Sequence, residues 1–151
     1  MGKYIENSQK EQMSFLERLH IEHDDLIEKI EKCANFIESE NFRDIIKEDY
    51  PAFLLFLQRN VMETYGAILE QRIAIVNGEK EITTLPRMNF GLAIQALKFG
   101  FSIHRNSWKK DVNVYYDGKW NLRKVPGFNP EPWTPTINDI YADDWEIFVN
   151  K

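Results

Sequence analysis

The sequence is poor in cysteine and in long apolar runs. Cys33 is its one cysteine in 151 residues, which excludes an intramolecular disulfide framework and is typical of a reducing compartment. No apolar run approaches the roughly 20 residues that a membrane-spanning helix needs, and no signal-peptide core follows the first residues. We therefore predict a cytoplasmic protein, with Cys33 a small buried apolar side chain on a helix.

Motifs of catalysis and cofactor binding are also missing. The chain has no phosphate-binding loop, dinucleotide-binding glycine pattern, nucleophile elbow or paired metal motif. His20 and His23 are three residues apart on a predicted helix, but no further ligand completes a metal spacing, which favours a solvated face. His104 has no nucleophile beside it. We predict a protein that is not an enzyme, with no cofactor and no metal site.

A basic excess is lacking as well. The net charge is −5, whereas proteins that bind DNA or RNA generally carry a basic face. Residues 1–87 hold 11 Lys and Arg against 17 Asp and Glu, and residues 88–151 hold 8 against 7. This distribution disfavours a polyanion surface on the first half but is compatible with a compact anionic ligand on the second.

Two long amphipathic helices are predicted in the first half. Apolar residues from Phe15 to Ile37 recur at helical spacing behind Ser14, and Ser39-Glu40-Asn41 breaks the pattern. A second helix begins at Glu48-Asp49-Tyr50-Pro51 and ends near Val76, before Asn77-Gly78. Its apolar stripe is wider than one partner helix would cover, so we expect further packing, most simply self-association.

The second half has the pattern of a small α+β domain. Asn89 is placed to cap a helix from Phe90 to Phe99, with Gly100 as its stop, and strands are predicted at 101–105 and 145–149. Asp117-Gly118 between two alternating runs, 112–116 and 119–123, predicts a hairpin with a type I′ turn. Residues 126–132 are predicted to form a rigid loop, and Thr136 with Asp139 a capping box.

The predicted fold class is α+β: an N-terminal antiparallel helical hairpin, then a small domain with one main helix and an antiparallel β-sheet. The predicted domains are residues 1–84 and 85–151, joined by a charged, proline-containing linker from Glu79 to Arg87.

All four tryptophans fall within residues 88–151. They could fill the core of a small domain or line an aromatic pocket, and composition does not separate the two. Cations, flat rings, hydroxyls and a carboxylate occur together there, a set suited to a nucleotide-like ligand. Its members are Lys98, Arg105, Trp108, Tyr115, Trp133, Thr134, Thr136 and Asp139. Trp145 is assigned to the core.

The segment that begins Met88-Asn89-Phe90 and continues through Arg105, Trp108 and Pro132-Trp133-Thr134-Pro135-Thr136 to Asp144-Trp145 resembles the second Thoeris anti-defence family of phages. The resemblance covers residues 88–151. It implies a non-catalytic sponge that sequesters a cyclic ADP-ribose-type signal, or also cyclic dinucleotides, and assembles as a homotetramer. It further implies ligand-binding roles for seven residues: Asn89, Arg105, Trp108, Trp133, Thr134, Thr136 and Asp139.

The N-terminal half is similar to small helical-hairpin proteins of phages, through Phe15-Leu16-Glu17-Arg18-Leu19 and Met62-Glu63-Thr64-Tyr65. Either a second nucleotide site or an oligomerisation role is open for it. Taken together, the sequence predicts a phage anti-defence sponge for a cyclic nucleotide signal, without DNA, RNA or membrane as partner, and a homo-oligomer. The alternatives are an enzyme that cleaves that signal and a protein–protein adaptor whose aromatic residues anchor the interface.

Overall fold

The structure is a computed structural model, and it describes residues 13–79, 85, 88–119, 122–125 and 130–149. Its contacts divide the chain into two units, Met1–Glu81 and Ile82–Lys151, which are described separately. Most of the predicted linker, residues 80–84 and 86–87, lies outside the described residues, as do Trp120, Asn121 and residues 126–129.

The first unit consists of two long helices and a short one. Helix α1 spans Phe15–Ile37, α2 spans Phe42–Ile45 and α3 spans Asp49–Val76, so both predicted long helices are confirmed. At the start of α1, the Ser14 N–H donates to Glu17 Oε2 at 2.7 Å and the Glu17 N–H donates to Ser14 Oγ at 3.2 Å. This reciprocal pair satisfies two N–H groups that have no partner inside the helix, which fixes where α1 begins.

The two long helices pack as an antiparallel hairpin with a separate apolar cluster towards each end. Leu19 and Leu26 of α1 pack with Leu69 of α3, and Leu69 is fully buried. At the turn, Ile37 packs with Phe42 and Ala52. Cys33 packs beside this second cluster as an apolar side chain, as predicted, but it is half-buried rather than buried. The hairpin is thus held mainly along one face of each helix.

His23 links the two helices through hydrogen bonds of its ring nitrogens to Asp24 at 3.1 Å and to Glu70 of α3 at 3.2 Å. Burial lowers the pKa of His23, but the bonds to the two carboxylates raise it by more, so the pKa lies above its ordinary value. The protonated ring therefore stabilises the hairpin fully below the unfolded pKa of about 6.5, and this contribution is lost as the pH rises through the folded pKa.

We expect the free energy of unfolding of the hairpin to fall by less than about 1 kcal/mol from about pH 6 to about pH 8, because the partner carboxylates are exposed and screened. Urea unfolding followed by helical circular dichroism measures this change. His23→Gln removes the pH dependence, whereas His20→Gln, at an exposed site of the same helix, retains it. A His23→Gln profile with the wild-type slope would contradict the assignment.

The second unit places helices beside a five-stranded antiparallel sheet. Helix α4 spans Phe90–Phe99 and α5 spans Ile137–Tyr141. The strands are β1 Ile103–Arg105, β2 Asn113–Tyr116, β3 Leu122–Val125, β4 Glu131–Pro132 and β5 Trp145–Ile147, in the order β4-β3-β2-β1-β5. The α+β fold class is confirmed, including the helical region that precedes the small domain.

The β2–β3 hairpin is confirmed, but its predicted two-residue turn is wrong. Tyr116 pairs with Leu122, so five residues, 117–121, connect the strands. Gly118 has φ +76°, a conformation that favours glycine, and Asp117 Oδ1 accepts a hydrogen bond from the Lys119 N–H at 2.8 Å. The Asp-Gly pair therefore bends the chain as predicted, and β3 begins later than the alternation suggests.

The predicted loop at 126–132 is wrong at its end. Glu131 and Pro132 form the short strand β4, which pairs with Lys124 and Arg123 of β3. A proline cannot donate to a β-ladder, and for that reason it is tolerated at a sheet edge, which is where β4 lies. The remainder of that loop, residues 126–129, lies outside the described residues.

The core of this unit lies between α4 and the sheet. Its fully buried members are Met88, Ala93, Leu97, Ile103, Val114 and Trp145. Helix α4 ends at Gly100, whose φ of +106° is the left-handed conformation of a helix stop. Across both units, none of the described helices is long and apolar enough to cross a membrane.

Candidate functional site

Three tryptophans form a cluster in the second unit, hereafter the tryptophan cluster. Trp145 is buried at 1% exposure, as predicted, while Trp108 and Trp133 are half-buried around it. Ring centroids lie 5.3 Å apart for Trp108 and Trp145, 6.2 Å for Trp133 and Trp145, and 6.3 Å for Trp108 and Trp133. All three contacts are edge-to-face, a favourable geometry for aromatic pairs, so each ring packs against the other two.

A cation covers one face of the Trp108 ring in this cluster. The Lys124 ammonium lies 3.9 Å from the centroid of the Trp108 ring, within the range of a cation–π contact. A flat ligand that stacked on this face of Trp108 would have to displace Lys124. The predicted stacking role of Trp108 therefore requires a movement of a flexible lysine side chain.

Arg105 connects the cluster to two carboxylates. Its Nε donates to Asp144 Oδ1 at 2.6 Å and its Nη1 donates to Asp139 Oδ1 at 3.3 Å, and its guanidinium lies 6.0 Å from the Trp145 ring centroid. The Ser107 N–H also donates to Asp144 Oδ2, at 3.1 Å. The Arg105 side chain is only 18% exposed, so both carboxylate contacts are largely shielded from solvent.

The charges in this network stabilise one another. The hydrogen bond to Asp144 raises the pKa of Arg105, more than burial lowers it. Burial raises the pKa of Asp144, but the hydrogen bonds from Arg105 and Ser107 lower it by more, so Asp144 stays ionised below the range usual for a carboxyl group. Arg105 and Asp144 therefore both stay charged and bound to each other. Such an ion pair stabilises the fold and is not suited to proton transfer.

Asp139 is a buried carboxylate at 6% exposure with several partners. Its Oδ2 accepts from the Thr136 N–H and from Thr136 Oγ1, both at 2.9 Å, and its own N–H donates to Thr136 Oγ1 at 3.2 Å. This is the predicted capping box, and it starts α5. The Asp139 carbonyl also accepts from the Trp145 indole N–H at 3.0 Å. Asp139 thus joins α5, Arg105 and the tryptophan cluster.

The seven predicted site residues are therefore placed as follows. Arg105, Trp108, Trp133, Thr136 and Asp139 belong to one contiguous network. Thr134 is exposed in the connection that follows β4. The Asn89 side chain accepts a hydrogen bond from the Leu92 N–H at 3.0 Å and so caps α4, as predicted. No described contact joins the Asn89 side chain to the others.

A groove opens beside this network, between α4 and the hairpin. Its volume is about 420 Å³, and it is lined by Ile94, Leu97, Lys98, Tyr116 and Leu122. Small-molecule sites have volumes of this order and combine apolar walls with a few polar groups. In this groove the polar groups are the Lys98 ammonium and the Tyr116 hydroxyl. The lining suits a ligand with a flat, weakly polar body and an anionic substituent.

The groove and the tryptophan cluster share a wall. The Trp133 N–H donates to the Leu122 carbonyl at 2.9 Å. Leu122 pairs with Tyr116 and Lys124 pairs with Val114, so these residues point to the α4 side of the sheet. Leu122 in the groove and Lys124 over Trp108 are therefore neighbours on one face. The backbone of Trp133 is thus bound directly to this wall.

Four of the residues that line the groove were not among the site candidates drawn from the sequence: Ile94, Leu97, Tyr116 and Leu122. Two local signals point to them. Ile94 and Lys98 are four residues apart on one helix, and Tyr116 and Leu122 flank the predicted turn. The candidate Tyr115 pairs with Arg123 and lies on the opposite face of the sheet from the groove. That alternation could be read from the sequence, but the position of α4 above the strands could not.

His104 pairs across the sheet with the carboxylate of Glu146, Nε2 to Oε2, at 3.3 Å, while its buried Nδ1 has no hydrogen-bond partner among the described residues. Its ring lies edge-on to Phe148, with centroids 5.5 Å apart. Within the part of the chain that the structure describes, no group of three or more His, Cys, Asp or Glu is arranged to hold a metal ion.

Comparison with protein-family models gives a match for each half of the chain. Residues 13–75 match the family described as Sequestin, and residues 88–148 match the family described as Thoeris anti-defense 2-like domain. A search of curated proteins found no match. The resemblance to a Thoeris anti-defence sponge family, predicted from the motifs of residues 88–151, is confirmed.

Proposed function

We propose that this chain is a phage anti-defence protein that binds and sequesters a cyclic nucleotide immune signal without cleaving it, in the cytoplasm of the infected cell. The groove on the second unit carries the proposal, because it offers ligand-sized space with one cation at its rim. The two family matches, one on each half of the chain, support anti-defence sequestration. The ligand class is of the cyclic ADP-ribose type, or a cyclic dinucleotide.

The chemistry of the groove suits such a ligand. Ile94 and Leu122 present apolar walls, and the Tyr116 ring, 41% exposed, offers an edge or a face to a nucleobase. Lys98, in the last turn of α4, places an ammonium where a phosphate oxygen can approach. A base and a phosphate are the two moieties that every cyclic nucleotide supplies.

The tryptophan cluster supports this groove in our proposal. The seven predicted binding residues then act in two ways. Trp108 and Thr134, at or near the surface, are available to an extended ligand, with Lys124 swinging from Trp108 towards phosphate. Arg105, Trp133, Thr136 and Asp139 position the wall and the connection that carry those groups. Asn89 acts through the start of α4.

Reversible binding, rather than cleavage, fits the state of the acidic residues. Asp139 and Asp144 are both hydrogen-bonded to Arg105, and the lowered pKa of Asp144 makes it a weak base towards water or a ribose hydroxyl. A sponge needs only affinity: the free signal stays low when the dissociation constant is well below the signal concentration and binding sites outnumber signal molecules.

The Lys98 ammonium is expected to contribute strongly to affinity. Lys98→Met keeps the alkyl stem but removes the charge, and we expect about 10- to 100-fold weaker binding of cyclic ADP-ribose isomers or cyclic dinucleotides. Isothermal titration calorimetry with each nucleotide measures the dissociation constants. The effect should shrink at high salt, since it is electrostatic.

Lys29→Met is the matched control, because Lys29 is an exposed lysine of α1 and the substitution makes the same change in net charge. It should bind as the wild type does. Equal affinities for Lys98→Met and wild type would show that the ligand does not bind in the groove. The face of Trp108 that Lys124 covers would then be the next candidate site.

A further inference from the structure

The side of α3 that faces away from α1 is apolar along most of its length. Residues on this side have exposed side chains, from 37% for Ile68 to 69% for Tyr50. Its apolar members are Tyr50, Phe53, Leu54, Leu57, Val61, Tyr65, Ile68 and Ile75. This face is hereafter the α3 seam. Contiguous apolar patches of this extent mark interaction surfaces in proteins of this size.

The α3 seam follows a heptad pattern. Leu54, Val61, Ile68 and Ile75 are spaced seven residues apart. The position four residues before each of them holds Tyr50 and Leu57 in the first half of the helix, and Thr64 and Gln71 in the second. Alternating steps of four and three residues are the a and d positions of a coiled coil. A seam with this repeat is typical of a helix that pairs with another helix along its length, and β-branched residues at a are common in two-stranded pairs.

Charge is directed away from the α3 seam. Arg59 binds Glu38 of α1 at 2.8 Å and Glu63 at 2.9 Å. Glu70 binds His23 of α1, and the Arg72 guanidinium lies over the Phe15 ring of α1 at 5.7 Å from its centroid. The remaining charged residue of α3, Asp49, precedes the seam and binds Arg43. Two copies of the seam can therefore meet without opposing like charges.

The length of the seam limits what can cover it. From residue 50 to residue 75 it extends about 39 Å at 1.5 Å per residue. Helix α1 already packs on the opposite side of α3, and the longest described helix of the second unit, α4, has 10 residues, or about 15 Å. Among the described residues, no further helix of this chain is long enough. Helix α3 of a second copy has the matching length and repeat.

We propose that two copies of this chain associate through their α3 seams, which pack against each other as a two-stranded helical pair, with each α1 on the outer side of its own α3. The association buries the seam on both copies and uses a self-complementary surface. It is independent of the groove and of ligand binding, so either proposal can fail without the other.

Val61→Glu tests the α3 seam directly. Val61 lies near its midpoint and is 61% exposed, so a glutamate there leaves the isolated hairpin intact but places two carboxylates close together in the pair, whether the helices run parallel or antiparallel. Sedimentation analysis of the full chain should give a wild-type mass at least twice the 17.9 kDa of one chain, and a twofold smaller mass for Val61→Glu.

Ile21→Glu makes the same kind of change at an exposed position on the far side of α1 and should keep the wild-type mass. Circular dichroism verifies that each variant keeps its helix content. Val61→Lys should also have the smaller mass, and an equimolar mixture of Val61→Glu and Val61→Lys should regain the larger one, because opposite charges then meet at the seam.

A monomeric wild type would overturn the proposal, since the α3 seam would then be free or covered within one chain. A Val61→Glu variant with the wild-type mass would overturn it as well, because the association would then use another surface. Failure of the mixture to regain the larger mass, with both single variants folded and of the smaller mass, would also overturn the proposal, because residue 61 would then not face its counterpart across the pair.

Discussion

Asp139→Ala is expected to destabilise the second unit by about 3–5 kcal/mol, one of the two largest effects in the chain. The substitution removes the acceptor of the Thr136 N–H and hydroxyl, and it leaves the mostly buried Arg105 with Asp144 as its one described carboxylate partner. Urea unfolding followed by tryptophan fluorescence measures it selectively, because all four tryptophans lie in residues 88–151.

Two variants separate the possible causes. Asp139→Asn keeps an oxygen acceptor but no charge, so a smaller loss of about 1–2 kcal/mol is expected. Asp111→Ala removes an exposed carboxylate from a neighbouring turn and should change the free energy of unfolding by less than about 0.5 kcal/mol. If Asp139→Ala were as stable as wild type but failed to bind nucleotide, Asp139 would be a ligand contact rather than a structural centre.

Leu69→Ala is expected to destabilise the hairpin by about 2–5 kcal/mol. Leu69 is fully buried between Leu19 and Leu26, and a rigid pair of helices collapses only partly around the cavity that the shorter side chain leaves. Helical circular dichroism reports mainly on this unit, because its helices are the longest in the chain.

Ile21→Ala shortens an exposed aliphatic side chain of α1 and is the matched control, with an expected loss below about 1 kcal/mol. A Leu69→Ala variant that unfolds at the wild-type urea concentration would show that the hairpin core does not depend on this contact. The stability of the hairpin would then have to come from the turn-end cluster or from the association of chains.

The parts of the fold that depend on residues close to one another in the sequence could be predicted. The bounds of α1 and α3 follow from periodicity and from caps such as Ser14, and Thr136 with Asp139 forms the predicted capping box. The strand at Glu131–Pro132 could not be predicted, because proline disfavours a strand and only the position at the sheet edge permits it.

The candidate site was predictable in its residue types more than in its geometry. Arg105 and Asp139 were both candidates, but the bond between them joins positions 34 residues apart, and no local pattern indicates it. The groove arises where α4 crosses the β2–β3 hairpin, and its wall at Leu122 depends on a strand register that the Asp-Gly turn suggested wrongly.

The two units therefore offer different surfaces. The second presents a groove with a lysine at its rim, beside the cluster of three tryptophans. The first presents a long apolar seam. Charged side chains of α3 contact α1 instead, and Asp49, which precedes the seam, binds Arg43. In the proposed account, one surface holds the signal and the other joins copies of the chain, which would place several binding sites on one assembly.

The central claim, sequestration without cleavage, is tested most directly by recovery of the ligand. Purified protein is incubated in excess with cyclic ADP-ribose isomers and cyclic di- and trinucleotides, filtered, and then heated to release what it holds, with chromatography before and after. The account predicts that one nucleotide disappears from the filtrate and returns intact after heating. Appearance of a linear product would contradict it and indicate an enzyme, and no depletion of any nucleotide would contradict it in favour of a protein–protein adaptor.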